Sequence, residues 1–153
     1  MKVADKGKPA VILLVEDDRG DQELTRRALQ EGKIRNELRI VEDGEEALAY
    51  LFRRGEYKDP ATSPRPDLLL LDLNLPRVDG REVLERIRAD ATLRRMAVVV
   101  LTTSRQEEDI LRSYEVGCNS FITKPVGMDQ FIQVIQSLKE YWFQIVVLPP
   151  KTE

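Results

Sequence analysis

Apolar residues along this chain fall into two kinds of run. Short stretches without polar alternation occur at AVILLV (10–15), LRIV (38–41), LLLL (68–71), AVVVL (97–101) and SFIT (120–123). Such runs predict strands covered on both faces, as in a parallel sheet. Between them apolar positions recur at helical spacing. The groups are Leu24 and Ala28; Ala47, Leu48, Leu51 and Phe52; Val83, Leu84 and Ile87; Ile110, Leu111 and Tyr114; and Phe131, Ile135, Leu138 and Trp142. Asp43-Gly44 and Asp79-Gly80 precede the second and third of these segments, where an Asp caps free helical amides. Gly117 follows the fourth, as a C′ glycine does. RRGEYKDPATSPRP (53–66) holds three prolines and no apolar rhythm, and it predicts a long loop. The sum is five βα units. It specifies an α/β, doubly wound, five-stranded parallel sheet with helices on both faces.

Composition narrows the function classes. A chain of 153 residues, 42% hydrophobic and 33% charged, fits one globular domain with a real core. Its 24 basic and 27 acidic side chains leave a net charge of −3, which gives no case for nucleic acid. Cys118 is the sole cysteine, so no intrachain disulfide forms and a reducing compartment is expected. MKVADKGKP (1–9) has no apolar core of a signal peptide. No apolar run approaches the roughly 18 residues that span a bilayer. The expectation is a cytoplasmic protein with no membrane partner. The chain contains no histidine, which excludes a Ser-His-Asp system, a His-containing zinc site and a phosphohistidine donor.

Chemistry collects where strands run into loops. Glu16, Asp17 and Asp18 follow the first strand, Asp72 the third, Thr102 the fourth and Lys124 the fifth. The carboxyl ends of strands in an open parallel sheet converge on one crevice. Carboxylates crowded there repel unless a cation cancels the charge, and all-oxygen ligands select a hard ion such as Mg²⁺. Asp72 then stays ionised and able to attack phosphorus, with Lys124 as a point charge and Thr102 as a hydroxyl donor.

VILLVEDD, LLLLDLNLPRVDG, VVVLTTS and FITKP, in this order over roughly residues 10–140, resemble the receiver domains of bacterial response regulators. The resemblance implies the flavodoxin-like strand order 2-1-3-4-5 and assigns roles. Asp72 matches the phosphoacceptor, Asp17 a direct Mg²⁺ ligand, Glu16 a ligand acting through water, and Asn74 a ligand through its backbone carbonyl. Thr102 matches the switch hydroxyl, Phe121 the switch aromatic, Lys124 the family's lysine and Pro125 its cis proline. A sensor histidine kinase would supply the phosphoryl group. The chain would catalyse only its own phosphorylation and dephosphorylation.

Other readings fit less well. An aspartyl-phosphate hydrolase would want a second acid where Asn74 stands. A flavin-binding protein would want a phosphate loop where Glu16-Asp17-Asp18-Arg19 stands. Residues 1–9 are expected to form a flexible tail, 10–141 the receiver, and 142–153 a C-terminal extension, with no DNA-binding output domain after it. The extension makes the last helix apolar over too wide an arc. Either the tail folds back on its own domain, or Val134, Tyr141, Trp142, Phe143, Ile145 and Val147 form a patch that a homodimer or another protein buries. The loop at 53–66 and the WFQIVVLPP ending resemble receivers paired with bacterial phytochromes, which implies a phytochrome-type kinase upstream and an unknown protein downstream.

Overall fold

The structure is a computed structural model and describes residues 10–31, 36–103, 120–124, 126–127, 129–130 and 133–134. Strands β1 (Ala10–Val15), β2 (Asn36–Val41), β3 (Leu68–Asp72), β4 (Ala97–Thr102) and β5 (Ser120–Thr123) form one sheet in the order β2-β1-β3-β4-β5. All four pairings are parallel. The expected strand runs are met at both ends of β1 and β5. β3 and β4 each run one residue further, and β2 starts two residues earlier.

Helices α1 (Arg19–Glu31), α2 (Gly44–Leu51) and α3 (Gly80–Ala89) lie between the strands. Residue parity on the strands sorts the core into two clusters. Leu13, Val15, Leu69, Leu71, Val98 and Val100 pack with Ala47, Leu48 and Leu51 of α2 and Val83, Leu84 and Ile87 of α3. Ile12, Leu14, Leu68, Leu70, Val99, Leu101 and Ile122 pack with Ala28 and Leu29 of α1. The sheet is therefore covered on both faces. The α1 face differs from the expected one: Leu24 is exposed and Thr25 is buried in its place. The Thr25 hydroxyl turns back to the Asp21 carbonyl at 3.0 Å, which lets a polar residue sit inside.

Val134 requires a correction. It is buried with Ile12, Leu14, Leu101 and Ile122 instead of lying on a partner-facing patch. Val126 and Val134 are the members of that cluster that follow β5, and burying an aliphatic side chain there is favourable. Gly117, Cys118, Pro125, the expected fourth helix and the extension beyond 141, with Tyr141, Trp142, Phe143, Ile145 and Val147, lie outside the described residues.

The 53–66 stretch is more ordered than its composition suggests. A 3-10 turn at Gly55–Tyr57 places the Tyr57 ring 5.1 Å from that of Tyr50. The Tyr57 hydroxyl donates to Glu46 Oε2 at 2.5 Å, and the Tyr50 hydroxyl to the Pro64 carbonyl at 2.8 Å. The loop thereby clasps α2. Asp67 ends it by accepting the Val11 amide at 2.8 Å and donating its own amide to the Val11 carbonyl at 2.7 Å, so β3 enters in register beside β1.

The loop after β3 is held by two helix starts. Asp43 caps α2 by accepting from the Glu46 amide at 2.7 Å, and Asp79 caps α3 by accepting from the Glu82 amide at 3.0 Å. The glycines that follow approach the backbone closely. A Cβ on Gly44 would stand 1.7 Å from the Val78 carbonyl oxygen, and one on Gly80 would stand 2.4 Å from that of Asp72. Gly80→Ala is therefore expected to push α3 off the end of β3, at a cost of about 1–3 kcal/mol. Thermal melting checks it, and an unchanged midpoint would show that the clash is absorbed without strain.

Candidate functional site

The end of β3 brings Asp72 to the centre of the sheet's carboxyl edge. Asp72 and Glu16 are in phase with Leu70 and Leu14, on the α1 side. Both are buried, at 2% and 1% exposure. Lys124, just past β5, joins them: its Nζ donates to Glu16 Oε1 at 2.9 Å and Asp72 Oδ2 at 3.0 Å. It also lies 3.0 Å from Asp21 Oδ2. A backbone amide satisfies the second oxygen of each buried acid. The Asp18 amide donates to Glu16 Oε2, and the Asn74 amide to Asp72 Oδ1, both at 3.1 Å. The Lys124 amide donates to the Thr102 carbonyl at 2.7 Å, which ties β5's end to β4's.

Two features of the cluster point to a ligand. One carboxylate oxygen each from Glu16, Asp17 and Asp72 falls within 4.8 Å of the others, with Asp17 exposed to solvent. Such an all-oxygen set suits a hard divalent cation with retained waters. The second feature is Thr102, whose hydroxyl is fully buried and has no hydrogen-bond partner among the described residues. A buried hydroxyl without a partner is costly to leave unpaired.

The electrostatics agree. Burial pushes the Glu16 carboxyl up to about 7; hydrogen bonds from Lys124 and the Asp18 amide oppose the rise, and the Asp72 charge adds to it. Burial alone would lower Lys124, but its hydrogen bonds to Glu16, Asp21 and Asp72 hold it above the usual ammonium range. One ammonium thus faces more carboxylates than it can neutralise, and a dication fits the deficit.

The structure brings Glu16, Asp17, Asp72 and Lys124 together, with Thr102 beside Asp72's strand. Asn74 is exposed just beyond Asp72 and contributes its amide. Phe121 is half-buried against the α2–α3 cluster. Sequence reasoning missed Asp21. It stands in the first turn of α1, on the side of the sheet where Glu16 and Asp72 point, a placement that only the packed structure reveals.

A fold and site of this kind define an aspartate-centred receiver. The response regulator receiver domain family matches residues 12–136, and the chain belongs to that family. It is 45% identical over 141 residues to the response regulator Rcp1 of Synechocystis sp., covering 92% of this chain and 94% of that protein. The Mn²⁺-bound form of Rcp1 superposes with a TM-score of 0.71 at 46% identity, over 88% of this chain and 94% of that one. The bacteriophytochrome response regulator RtBRR superposes at 0.80 with 45% identity, over 85% of this chain and 78% of that one. The phosphorylated cyanobacterial phytochrome response regulator RcpA gives 0.71 and 47%, over 88% and 94%. Receiver domains accept a phosphoryl group on an aspartate, bind Mg²⁺ or Mn²⁺ in an acidic pocket, and work with sensor histidine kinases. Among the described residues no helix is long and apolar enough to cross a membrane.

Proposed function

We propose that this chain is a phosphoreceiver that takes a phosphoryl group on Asp72 from a phytochrome-type sensor histidine kinase in the cytoplasm. The observation that carries the reading is the Lys124 ammonium shared between two buried carboxylates, with a buried hydroxyl at the end of the neighbouring strand that has no partner among the described residues. Kinship with phytochrome response regulators supports the upstream partner.

In the transfer, a carboxylate oxygen of Asp72 forms a bond to phosphorus as the bond from phosphorus to the donor's imidazole nitrogen breaks. The imidazole then takes a proton from solvent. Lys124 passes the N–H it gives to Asp72 onto a phosphoryl oxygen, and the Thr102 hydroxyl donates to another. Glu16, Asp17, Asp72 and the Asn74 carbonyl would hold Mg²⁺, which when bound cancels charge on the carboxylates and on the incoming group. The step needs positioning and neutralisation and little else from the protein. The same residues would serve its later hydrolysis.

Drawing Thr102 toward the phosphoryl group would let Phe121 turn further into the α2–α3 cluster. That is a two-state switch set by local charge. The apolar ending WFQIVVLPP supports a homodimer or a downstream protein as its readout.

Intact-protein mass spectrometry after incubation with Mg²⁺ and a small phosphoryl donor, with size-exclusion chromatography on the same samples, tests this reading. One phosphoryl adduct is expected, and no adduct with Mg²⁺ present would overturn it. The metal carries a further expectation. Holding Mg²⁺ would require the Glu16 carboxyl to give up its proton, so affinity should rise with pH up to about 7 and level off above. Calorimetry in buffers of different ionisation enthalpy should then show proton release below that pH. An affinity flat from about pH 6 to 8 would remove Glu16 from the metal site.

A further inference from the structure

We infer that Asp21 is a positioning residue for phosphoryl transfer, fixing the Lys124 ammonium over the site by taking its third N–H. The inference rests on the phosphoreceiver reading above. An ammonium has three donors. Lys124 Nζ has Glu16 Oε1 at 2.9 Å, Asp72 Oδ2 at 3.0 Å and Asp21 Oδ2 at 3.0 Å. Glu16 and Asp72 come from strand ends. Asp21 comes from the first turn of α1 and approaches from the helix side.

The anchor itself is built to stay put. The Asp21 amide donates to Asp18 Oδ2 at 2.8 Å, and the Asp21 carbonyl accepts the buried Thr25 hydroxyl at 3.0 Å. Its backbone is therefore held from both sides of the turn, while its carboxylate reaches inward and stays only a quarter exposed. A lysine stem has four rotatable bonds, and ordering it is entropically costly. Two carboxylates alone would leave one N–H to solvent and the ammonium free to swing about the line between them. The third anchor removes that freedom.

Asp21 also determines what happens on phosphorylation. Only the N–H on Asp72 is passed to the phosphoryl oxygen. Those on Glu16 and Asp21 remain, so the ammonium pivots in place instead of being drawn out of its pocket. This arrangement keeps the donor preorganised before the phosphoryl group arrives, which is where electrostatic catalysis gains most.

The test measures phosphoryl uptake from a small donor at saturating Mg²⁺, with the metal's Kd determined separately for each variant. Asp21→Ala is expected to slow uptake about tenfold, as loss of one charge-assisted hydrogen bond at the donor would. Asp21→Asn keeps an acceptor oxygen without the charge and is expected to recover most of the rate. In ¹⁵N-lysine-labelled protein the Lys124 ammonium signal, assigned by its loss in Lys124→Arg, should be sharp in the parent and in Asp21→Asn and broadened in Asp21→Ala. Uptake by Asp21→Ala at the parent's rate would overturn the inference. Equal slowing in both variants with the ammonium signal intact would also overturn it, since that result assigns Asp21 a charge effect only. Failure of the parent to take up any phosphoryl group would instead overturn the phosphoreceiver reading.

Discussion

Asp72→Asn is expected to take up no phosphoryl group while folding as stably as the parent, or more so. The two halves follow from the same geometry. Asn fills the same space and can still present its Oδ1 to the Asn74 amide, whose N–H Asp72 Oδ1 accepts at 3.1 Å; the Lys124 N–H that Asp72 Oδ2 took then turns away from the amide nitrogen while Glu16 and Asp21 hold the ammonium. What it lacks is an anionic oxygen with the electron pair that forms the bond to phosphorus. Folding should not suffer, because Asp72 and Glu16 are two buried carboxylates sharing one lysine. Removing one of them relieves repulsion and leaves the Lys124–Glu16 pair intact, so metal-free stability should change by less than about 1 kcal/mol or increase. Intact mass after donor treatment and thermal melting check both halves. Uptake retained by the variant would sink the assignment, and the exposed Asp17, with an oxygen within 4.8 Å of the cluster, would be the first alternative acceptor to examine.

The fold was legible in the sequence wherever one physical rule dominated. The runs at 10–15, 68–71 and 97–101 have no polar break because both faces of those strands are covered, and they became β1, β3 and β4 nearly to the residue. β2 read short because it is an edge strand, with only Val41 buried, so its first residues carry no apolar signal. Asp43 and Asp79 read as caps and cap. Leu24 misled because a side chain's type does not fix the helix phase, and Thr25 with its hydroxyl returned to the backbone buries just as well. The stretch at 53–66 read as a long loop and no more, because its internal order comes from two tyrosine hydroxyls and one ring contact, and none of these leaves a periodic trace.

The site was legible for the same reason as the strands. Glu16, Asp72, Thr102 and Lys124 stand directly at strand ends, so chain position alone collects them. Asp21 was not legible. Its contact with Lys124 joins a helix turn to a distant strand end and depends on which side of the sheet α1 covers. Strand parity supplies that fact afterwards: Glu16 and Asp72 continue the faces of Leu14 and Leu70, which pack with α1. The acidic edge is thus an extension of the α1-side core, with charge replacing the aliphatic residues where the strands end.

That continuity makes Lys124→Ala the most damaging change expected for stability. The variant leaves Glu16 and Asp72 buried, at 1% and 2% exposure, with no ammonium between them. Breaking a buried pair from one side costs on the order of 3–5 kcal/mol when the stranded charges stay ionised. The cost should depend on pH in a defined sense. Glu16 holds its proton up to about 7 in the folded parent, above the carboxylate's ordinary range, so the folded state binds that proton more tightly than the unfolded chain does. This contribution is fully present below the ordinary carboxylate range and is lost as pH rises through about 7. Without the Lys124 hydrogen bond, which opposes the rise, the loss moves to higher pH. The deficit of the variant against the parent should therefore be largest in alkaline, metal-free buffer and shrink on acidification. It should also shrink with Mg²⁺, because a dication neutralises the same two carboxylates. Denaturant melts at several pH values, with and without Mg²⁺, check this. A deficit equal at every pH and indifferent to metal would mean that Lys124 stabilises the protein through the packing of its stem and not through its charge. If the deficit follows pH and metal as expected, the lysine and the metal are two means of meeting one electrostatic need. The variant should then still take up phosphoryl groups when Mg²⁺ is present, yet fail to hold the phosphoryl oxygen in the position that draws Thr102 inward.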